Sequence, residues 1–516
     1  MTDIDRRRVV QGLGGAALLA PLGGTSIAVV AEAAVNVVEK FGFVPDGRTD
    51  NYEAFQRLAG FATRQGGGNF HFPPGIYYVA RYRTTDIRRR DPRLVLNAEF
   101  LRCDGLTISG TGAKIRLNGR FHRSARKGRD GLPEGTYHAA FLPFEIRHSR
   151  NVHISGFDID GGVLAMTRDP DITETYAPLI ALNASSRVTL SDLSLHHSQT
   201  DAIMISDDLI VVGSGAGLGI ACRDVRLERV RCFNNARGAL APIQVLGLRA
   251  SDCAFNSSAY GTGKYGRHAP GFGVDVEPDR YKPSEVDTMT GNLEFVRCEF
   301  MDNYSAFLAA YTRKYQGYLR LIDCRSSNRN NAPNHMIIGW DGGLIQGGVH
   351  DAGEGTVWTA WTDEKPSDLT IRDAEFRSSG HFGIFHTNDN NRLTMERVKI
   401  IGTHRKADFG TFPAIEAKPT GGRKNIVRGC EIFIPAARKD RSTLYDLEAG
   451  FNHCLCENNL FRTDLPATGG QHFAVQYGPG TVVRGDRFRG TAPGPADSFR
   501  PKHFSTHDTR RPYSSG

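Results

Sequence analysis

Tryptophan occurs only three times and methionine seven times in 516 residues, and no two cysteines are spaced as C-x-x-C. The nine cysteines are an odd number, so they indicate neither a zinc cage nor a complete disulfide framework. Beyond Val30 no apolar run approaches the length of a membrane span. The glycine run from Gly213 to Gly219 lacks the dinucleotide fingerprint. Leu218 and Ile220 stand five residues after Gly213 and Gly215, and no strand–helix–strand unit follows. It reads as a loop. Nucleic-acid-binding motifs are missing too, and the arginines are scattered along the chain. What remains is a chain with 40% hydrophobic residues and 58 glycines, able to bury a large core.

The amino terminus carries Arg6-Arg7-Arg8, then an apolar Gly/Ala-rich run to about Val30 and Ala31-Glu32-Ala33. This is the pattern of a twin-arginine export signal over residues 1–33, cut near Ala33, which implies a periplasmic or secreted protein with no membrane association after cleavage. Residues 34–95 read as an amino-terminal cap, 96–490 as a repeat body, and 491–516, rich in Pro, Ser, Arg and His, as a poorly ordered tail. A net charge of +8 in an exported protein points to an acidic partner.

Within the cap, Asp46-Gly47-Arg48-Thr49-Asp50 leads into a segment from Tyr52 to Gln65 whose apolar positions Phe55, Leu58, Ala59 and Ala62 fall at helical spacing. Asp50 or Asn51 is expected to cap this helix, and Gly66 to end it. Gly66-Gly67-Gly68, the aromatic strand Phe70-His71-Phe72 and the turn Pro73-Pro74-Gly75-Ile76-Tyr77 follow. This order resembles the cap of the pectate-lyase and rhamnogalacturonase-like superfamily of carbohydrate-active proteins. The resemblance implies a right-handed parallel β-helix, with the cap covering the open apolar end of the stack.

The body supports a solenoid independently. An alternating strand, a few polar residues and a small corner recur at Val152–Ile159, Val188–Leu195, Val225–Asn235, Leu246–Asn256, Leu293–Asn303, Leu319–Cys324, Leu369–Phe376, Leu393–Ile400 and Ile426–Phe433. Close copies are about 21 to 26 residues apart, the length of one β-helix turn, and about ten coils are expected. Cys232, Cys253, Cys298, Cys324 and Cys430 appear at one place in the repeat, which predicts an interior ladder of free thiols.

A second strand recurs between these walls, at Asp201–Ser206, Gly238–Val245, Gly271–Glu277, Ala306–Thr312, Met336–Trp340 and Phe382–His386. Stacked in one parallel sheet, these strands make a continuous surface. In Gly271–Asp279 the valines Val274 and Val276 face inward, and Asp275 and Glu277 are expected to face solvent, with Cα atoms roughly 6 to 7 Å apart. The catalytic candidates are Asp275, Glu277, Asp201, Asp208 and Lys314, with Asp207 beside Asp208. Arg237, Gln244, Tyr311, Arg313, Trp340 and His386 are the substrate-binding candidates: guanidinium and ammonium groups for uronates, aromatic faces for sugar rings.

Ser198-Gln199-Thr200-Asp201 with Asp207-Asp208 resembles the acidic motifs of polygalacturonase-like glycoside hydrolases, with Gln199 in place of Asn. Phe272-Gly273-Val274-Asp275-Val276-Glu277 is similar in outline to a strand of alginate C5-epimerases, with Glu277 where that family has His. Three functions stay open. A glycoside hydrolase needs a carboxylate acid/base pair. A polysaccharide lyase or uronate C5-epimerase needs a base such as Tyr311, Arg313 or Lys314. A non-catalytic polysaccharide-binding solenoid needs only the surface. None of the three requires a cofactor, although Asp207-Asp208 and Asp275, Glu277 and Asp279 offer oxygen ligands to calcium.

Overall fold

The computed structural model describes residues 33–80, 82–86, 97–118, 136–166, 177–207, 219–267, 271–276, 290–309, 315–327, 335–337, 342–351, 357–359, 368–377, 385–386, 392–401, 415–417, 424–434, 447–451, 453–463, 473–477 and 480–489. Residues 1–32 of the segment read as export signal, and the tail, lie outside these residues.

Alternation along each wall strand turns every second side chain inward, and parallel pairing stacks those side chains from coil to coil. One such row runs Ile108, Ile154, Leu190, Leu227, Ala250, Phe295, Leu321, Ile345, Ile371, Met395, Val427 and Cys456, and its pairing continues to Val483, which is exposed. Counting Val483, the row has thirteen members, so the stack is longer than the ten or so coils expected. Glycine hides one missing strand: Gly342–Gln346 opens on Gly342-Gly343, which carries no apolar signal, yet Gly343 pairs with Leu319 and Leu369.

These walls form a 27-stranded sheet that bends around the corners, and the remaining face consists of a nine-stranded and a four-stranded sheet. The whole is a right-handed parallel β-helix with a short α/β cap. Its one antiparallel pair among the described residues is Tyr82–Asp86 with Thr136–Ala140. None of the helices described is long and apolar enough to cross a membrane.

The cap helix spans Tyr52–Gln65 and buries Tyr52, Phe55, Leu58, Ala59 and Ala62. Asn51 stands at the N-cap without a capping side-chain bond, and the Asp50 carboxylate instead accepts from the Tyr52 amide at 3.1 Å. Gly66 ends the helix in the left-handed region at φ 75°, as expected of a glycine there. Phe55 packs against Phe43, Phe72, Phe141 and Phe144 with ring centroids 4.9 to 6.4 Å apart, closing the end of the apolar stack. Its removal would leave a cavity costing about 3–5 kcal/mol.

At the corner between the two wall strands, successive coils in the middle of the stack pass through one left-handed residue followed by a buried apolar one. The left-handed positions run Asp192, Arg229, Asp252, Arg297 and Asp323 over successive coils, all near φ 50–57°. Arg229 pairs with Asp192, and Arg297 with Asp252, at 2.7 Å. A side chain in this region meets a backbone cost of about 1–2 kcal/mol, and ion pairs as exposed as these return little of it. The residues that follow are Leu193, Val230, Cys253, Cys298 and Cys324, with Cys430 further along the stack. Cys232 is not among them. It lies in the short strand beyond the corner, paired with Leu195 and Phe255. All nine cysteines are buried and free.

Candidate functional site

The nine-stranded sheet carries the site. Asp201–Ser206, Gly238–Pro242 and Phe272–Val276 are consecutive strands within it, with Asp201 opposite Gly238, Leu240 opposite Val274, and Phe272 opposite Ser305 on the next strand. Val274 and Val276 face the core as the alternation requires.

The entry to each strand is fixed by a buried polar corner. Asn235 Oδ1 accepts from the Ser198 amide at 2.9 Å, and Asn303 Oδ1 accepts from the Ser258 amide at 2.8 Å, so one coil's side chain holds the preceding coil's backbone. Ser198 Oγ then donates to the Asp201 carbonyl at 2.8 Å. The Arg237 amide donates to Thr200 O at 3.2 Å, which ties the two segments bearing Asp201 and Arg237. Gly271 starts the third strand at φ 79°, where a Cβ would come within 2.7 Å of Tyr304 Cβ. Only glycine fits both the angle and the approach.

On this frame the Arg237 guanidinium spans two carboxylates. Its Nη1 lies 3.7 Å from Asp201 Oδ2, and its Nη2 lies 3.7 Å from Asp275 Oδ2. Asp201 and Asp275 are each 2% exposed, so the expectation that Asp275 faces solvent is overturned. The strand period places Asp275 on the face away from the core, as expected, but that face is buried at this point. Met204 and Ala241, which share its cross-strand row, form a small apolar cluster with Ile243. Gly238 makes room for the Asp201 side chain, since a Cβ there would stand 2.5 Å from Asp201 Oδ1.

Asp207 and Gln244 follow the far ends of the paired strands Asp201–Ser206 and Gly238–Pro242 and are buried as well. Gln244 therefore stands at the far end of the strand Gly238–Pro242 from Arg237. His386 lies further along the same face: Phe385–His386 neighbours Val357–Thr359, the last strand of the nine-stranded sheet, and pairs with Ile415–Ala417 in the four-stranded one, several coils from Asp201 and Asp275. Asp208, Glu277, Asp279, Tyr311, Arg313, Lys314 and Trp340 lie outside the described residues.

One aromatic and basic pair went unnoticed in the sequence. The Arg267 guanidinium lies 4.1 Å from the Tyr304 ring centroid, beside the start of the Phe272–Val276 strand. Neither residue recurs with the repeat, so periodicity gave no signal for them.

No family model and no curated protein matches this chain. Solved structures similar to it include a surface adhesin of Streptococcus pneumoniae, with 12% identity and TM-score 0.43 over 89% of this chain and 91% of that one. A tailspike protein of an E. coli bacteriophage, solved with a pentasaccharide, has 12% identity and TM-score 0.49 over 86% of this chain and 78% of that one. The A-module of a mannuronan C-5 epimerase of Azotobacter vinelandii has 14% identity and TM-score 0.39 over 88% of this chain and 99% of that one. At these identities the likeness says nothing of what this chain binds.

Proposed function

We propose that this protein is an exported enzyme acting on an acidic polysaccharide, a glycoside hydrolase whose carboxylate pair is Asp201 and Asp275. The observation that carries this reading is the guanidinium of Arg237 set between two acids on alternate strands of one sheet. Two contacts of 3.7 Å plus the width of one guanidinium hold the facing oxygens below about 10 Å. That limit is compatible with the roughly 6.5 to 9.5 Å that an inverting mechanism needs. One carboxyl group then protonates the glycosidic oxygen, and the other activates water on the opposite face of the sugar. The net charge of +8 favours an anionic glycan, and the arginine pair near the amino terminus favours twin-arginine export.

The burial of both acids favours a second reading, a non-catalytic polysaccharide-binding solenoid. The purified chain should be screened against neutral and acidic glycans, scoring new reducing ends, ultraviolet absorbance from unsaturated uronides, and binding. New reducing ends without unsaturation support the hydrolase. Unsaturated products would move the reaction to a lyase. Binding without any product would leave the solenoid reading standing.

A further inference from the structure

Away from the acid–arginine cluster, two histidines adjacent in sequence meet two aspartates of the preceding coil. Asp158 and Asp160 end the strand Arg150–Asp160, and His196 ends the paired strand Ser194–His196, so that Asp158 is opposite Ser194 and Asp160 opposite His196. His197 follows in the left-handed region at φ 53°, which swings its ring back toward its neighbour. The two Nδ1 atoms are 2.7 Å apart, and Asp160 Oδ1 lies 3.9 Å from His196 Nδ1 and 3.7 Å from His197 Nδ1.

We propose that Asp160, His196 and His197 form a binding site for a divalent transition-metal ion of the zinc type. The three ligand atoms lie within 4.8 Å of one another. Bonds of about 2.0–2.2 Å to a tetrahedral zinc set its ligand atoms roughly 3.4 Å apart, so the short edge of this triangle must open by about 0.7 Å and the other two close by about 0.3 to 0.5 Å. Two imidazole nitrogens and one carboxylate suit zinc, nickel or copper, and exclude calcium and magnesium, which take oxygen ligands.

The surroundings orient these atoms. Asp158 Oδ1 lies 2.8 Å from His196 Nε2, and an ionised carboxylate only accepts, so Nε2 carries the proton and the Nδ1 lone pair points toward His197 and Asp160. Phe233 stacks on the His196 ring at 4.9 Å and 20°, fixing its plane. The Gly162 amide donates to Asp160 Oδ1 at 2.9 Å. Gly161 allows the two coils to approach, since a Cβ there would fall 2.5 Å from the His197 carbonyl oxygen. The His196, His197 and Asp160 side chains are 15%, 16% and 36% exposed, open enough for an ion to enter and for water to complete the tetrahedron.

The test uses the full chain, free of any histidine tag and stripped with a chelator. Zinc is titrated calorimetrically, and cobalt is followed by its visible absorption. One tight equivalent and a tetrahedral cobalt spectrum are expected. Affinity should fall at least tenfold in Asp160→Asn, in His196→Gln, and in His197→Asn, which retains a residue tolerant of the left-handed conformation. Circular dichroism of the metal-free variants controls for folding. Imidazole nitrogen resonances of the parent supply a measurement that needs no variant, since zinc must shift the Nδ1 signals of two histidines. Unchanged affinity in folded variants would overturn the proposal. So would a parent that binds no more tightly than the His196→Gln/His197→Asn double variant, or one whose Nδ1 signals stay in place.

Discussion

Arg237 holds Asp201 with one guanidinium nitrogen and Asp275 with the other, both at 3.7 Å, across strands that have one further strand between them. All three groups are withdrawn from water, where an ion is stable only while its partners remain. Replacing Arg237 by Met should cost about 3–5 kcal/mol, because two buried carboxylates lose their shared cation. Arg237→Lys should recover only part of this, since one ammonium cannot offer the fork that reaches both acids. Denaturant unfolding of the three proteins gives the order. An Arg237→Met protein as stable as the parent would show that the triad does not hold the sheet face.

For the proposed hydrolase, Asp201→Asn and Asp275→Asn should each lower turnover at least about 100-fold, the scale of acid/base assistance. Because both acids are buried, each variant should also lose stability. Turnover is therefore compared at a temperature where both variants remain folded. Near-parental turnover in both would place the chemistry elsewhere, with Asp208 and Glu277 the next acids to replace.

Gly238→Ala probes the same geometry without touching a charge. The added methyl would sit 2.5 Å from Asp201 Oδ1, so the carboxylate must move. Turnover should fall at least tenfold, because a displacement of about 1 Å at a reacting group is costly. Unchanged kinetics would mean that Asp201 is not held where the reaction needs it.

Much of the fold was legible because two signals repeat with the coil. Alternation at Val188–Leu195 and its counterparts reports the wall strands, and the turn from Asp50 through Gly66-Gly67-Gly68 reports the cap. Gly342-Gly343 concealed one strand because glycine carries no alternation. Cys232 was misplaced by two residues because corner and strand both accept a small buried side chain. Within the site, the sequence brought Asp201, Arg237 and Asp275 together through the repeat, yet it gave Asp275 to solvent. Strand period says which face a residue takes, and cannot say whether that face is covered. His196 and His197 carried a signal in their adjacency, but their partners Asp158 and Asp160 become neighbours only through the pairing of successive coils.

The thiols offer a separate check on the interior. Burial pushes the Cys222 and Cys430 thiols up to about 12 and Cys232 well above the ordinary value, where the reactive thiolate is scarce. A thiol reagent at neutral pH should find almost no reactive cysteine in the native protein, and all nine after unfolding without reductant. Fast native labelling of several cysteines would contradict the interior rows.

His350 sets a pH limit on folding. It lies in the strand Val349–Asp351, fully buried, with its ring stacked 5.0 Å from Phe376 and its Nδ1 3.2 Å from Ser326 Oγ. Burial pushes its imidazole down to about 4 from an ordinary 6.5, and a hydrogen bond with the Gly347 backbone opposes the shift only in part. Above about 6.5 the residue is neutral in both folded and unfolded chains, so its contribution is fully present. Between 6.5 and 4 the unfolded chain binds a proton that the folded one refuses, and stability falls with pH by roughly 3 kcal/mol in all. His350→Phe, which keeps an aromatic ring beside Phe376 and removes the titration, should flatten this segment of the stability profile. Chemical denaturation of parent and variant at pH steps from 7 to 4 measures it. Parallel profiles across that range would show that His350 takes up its proton without unfolding.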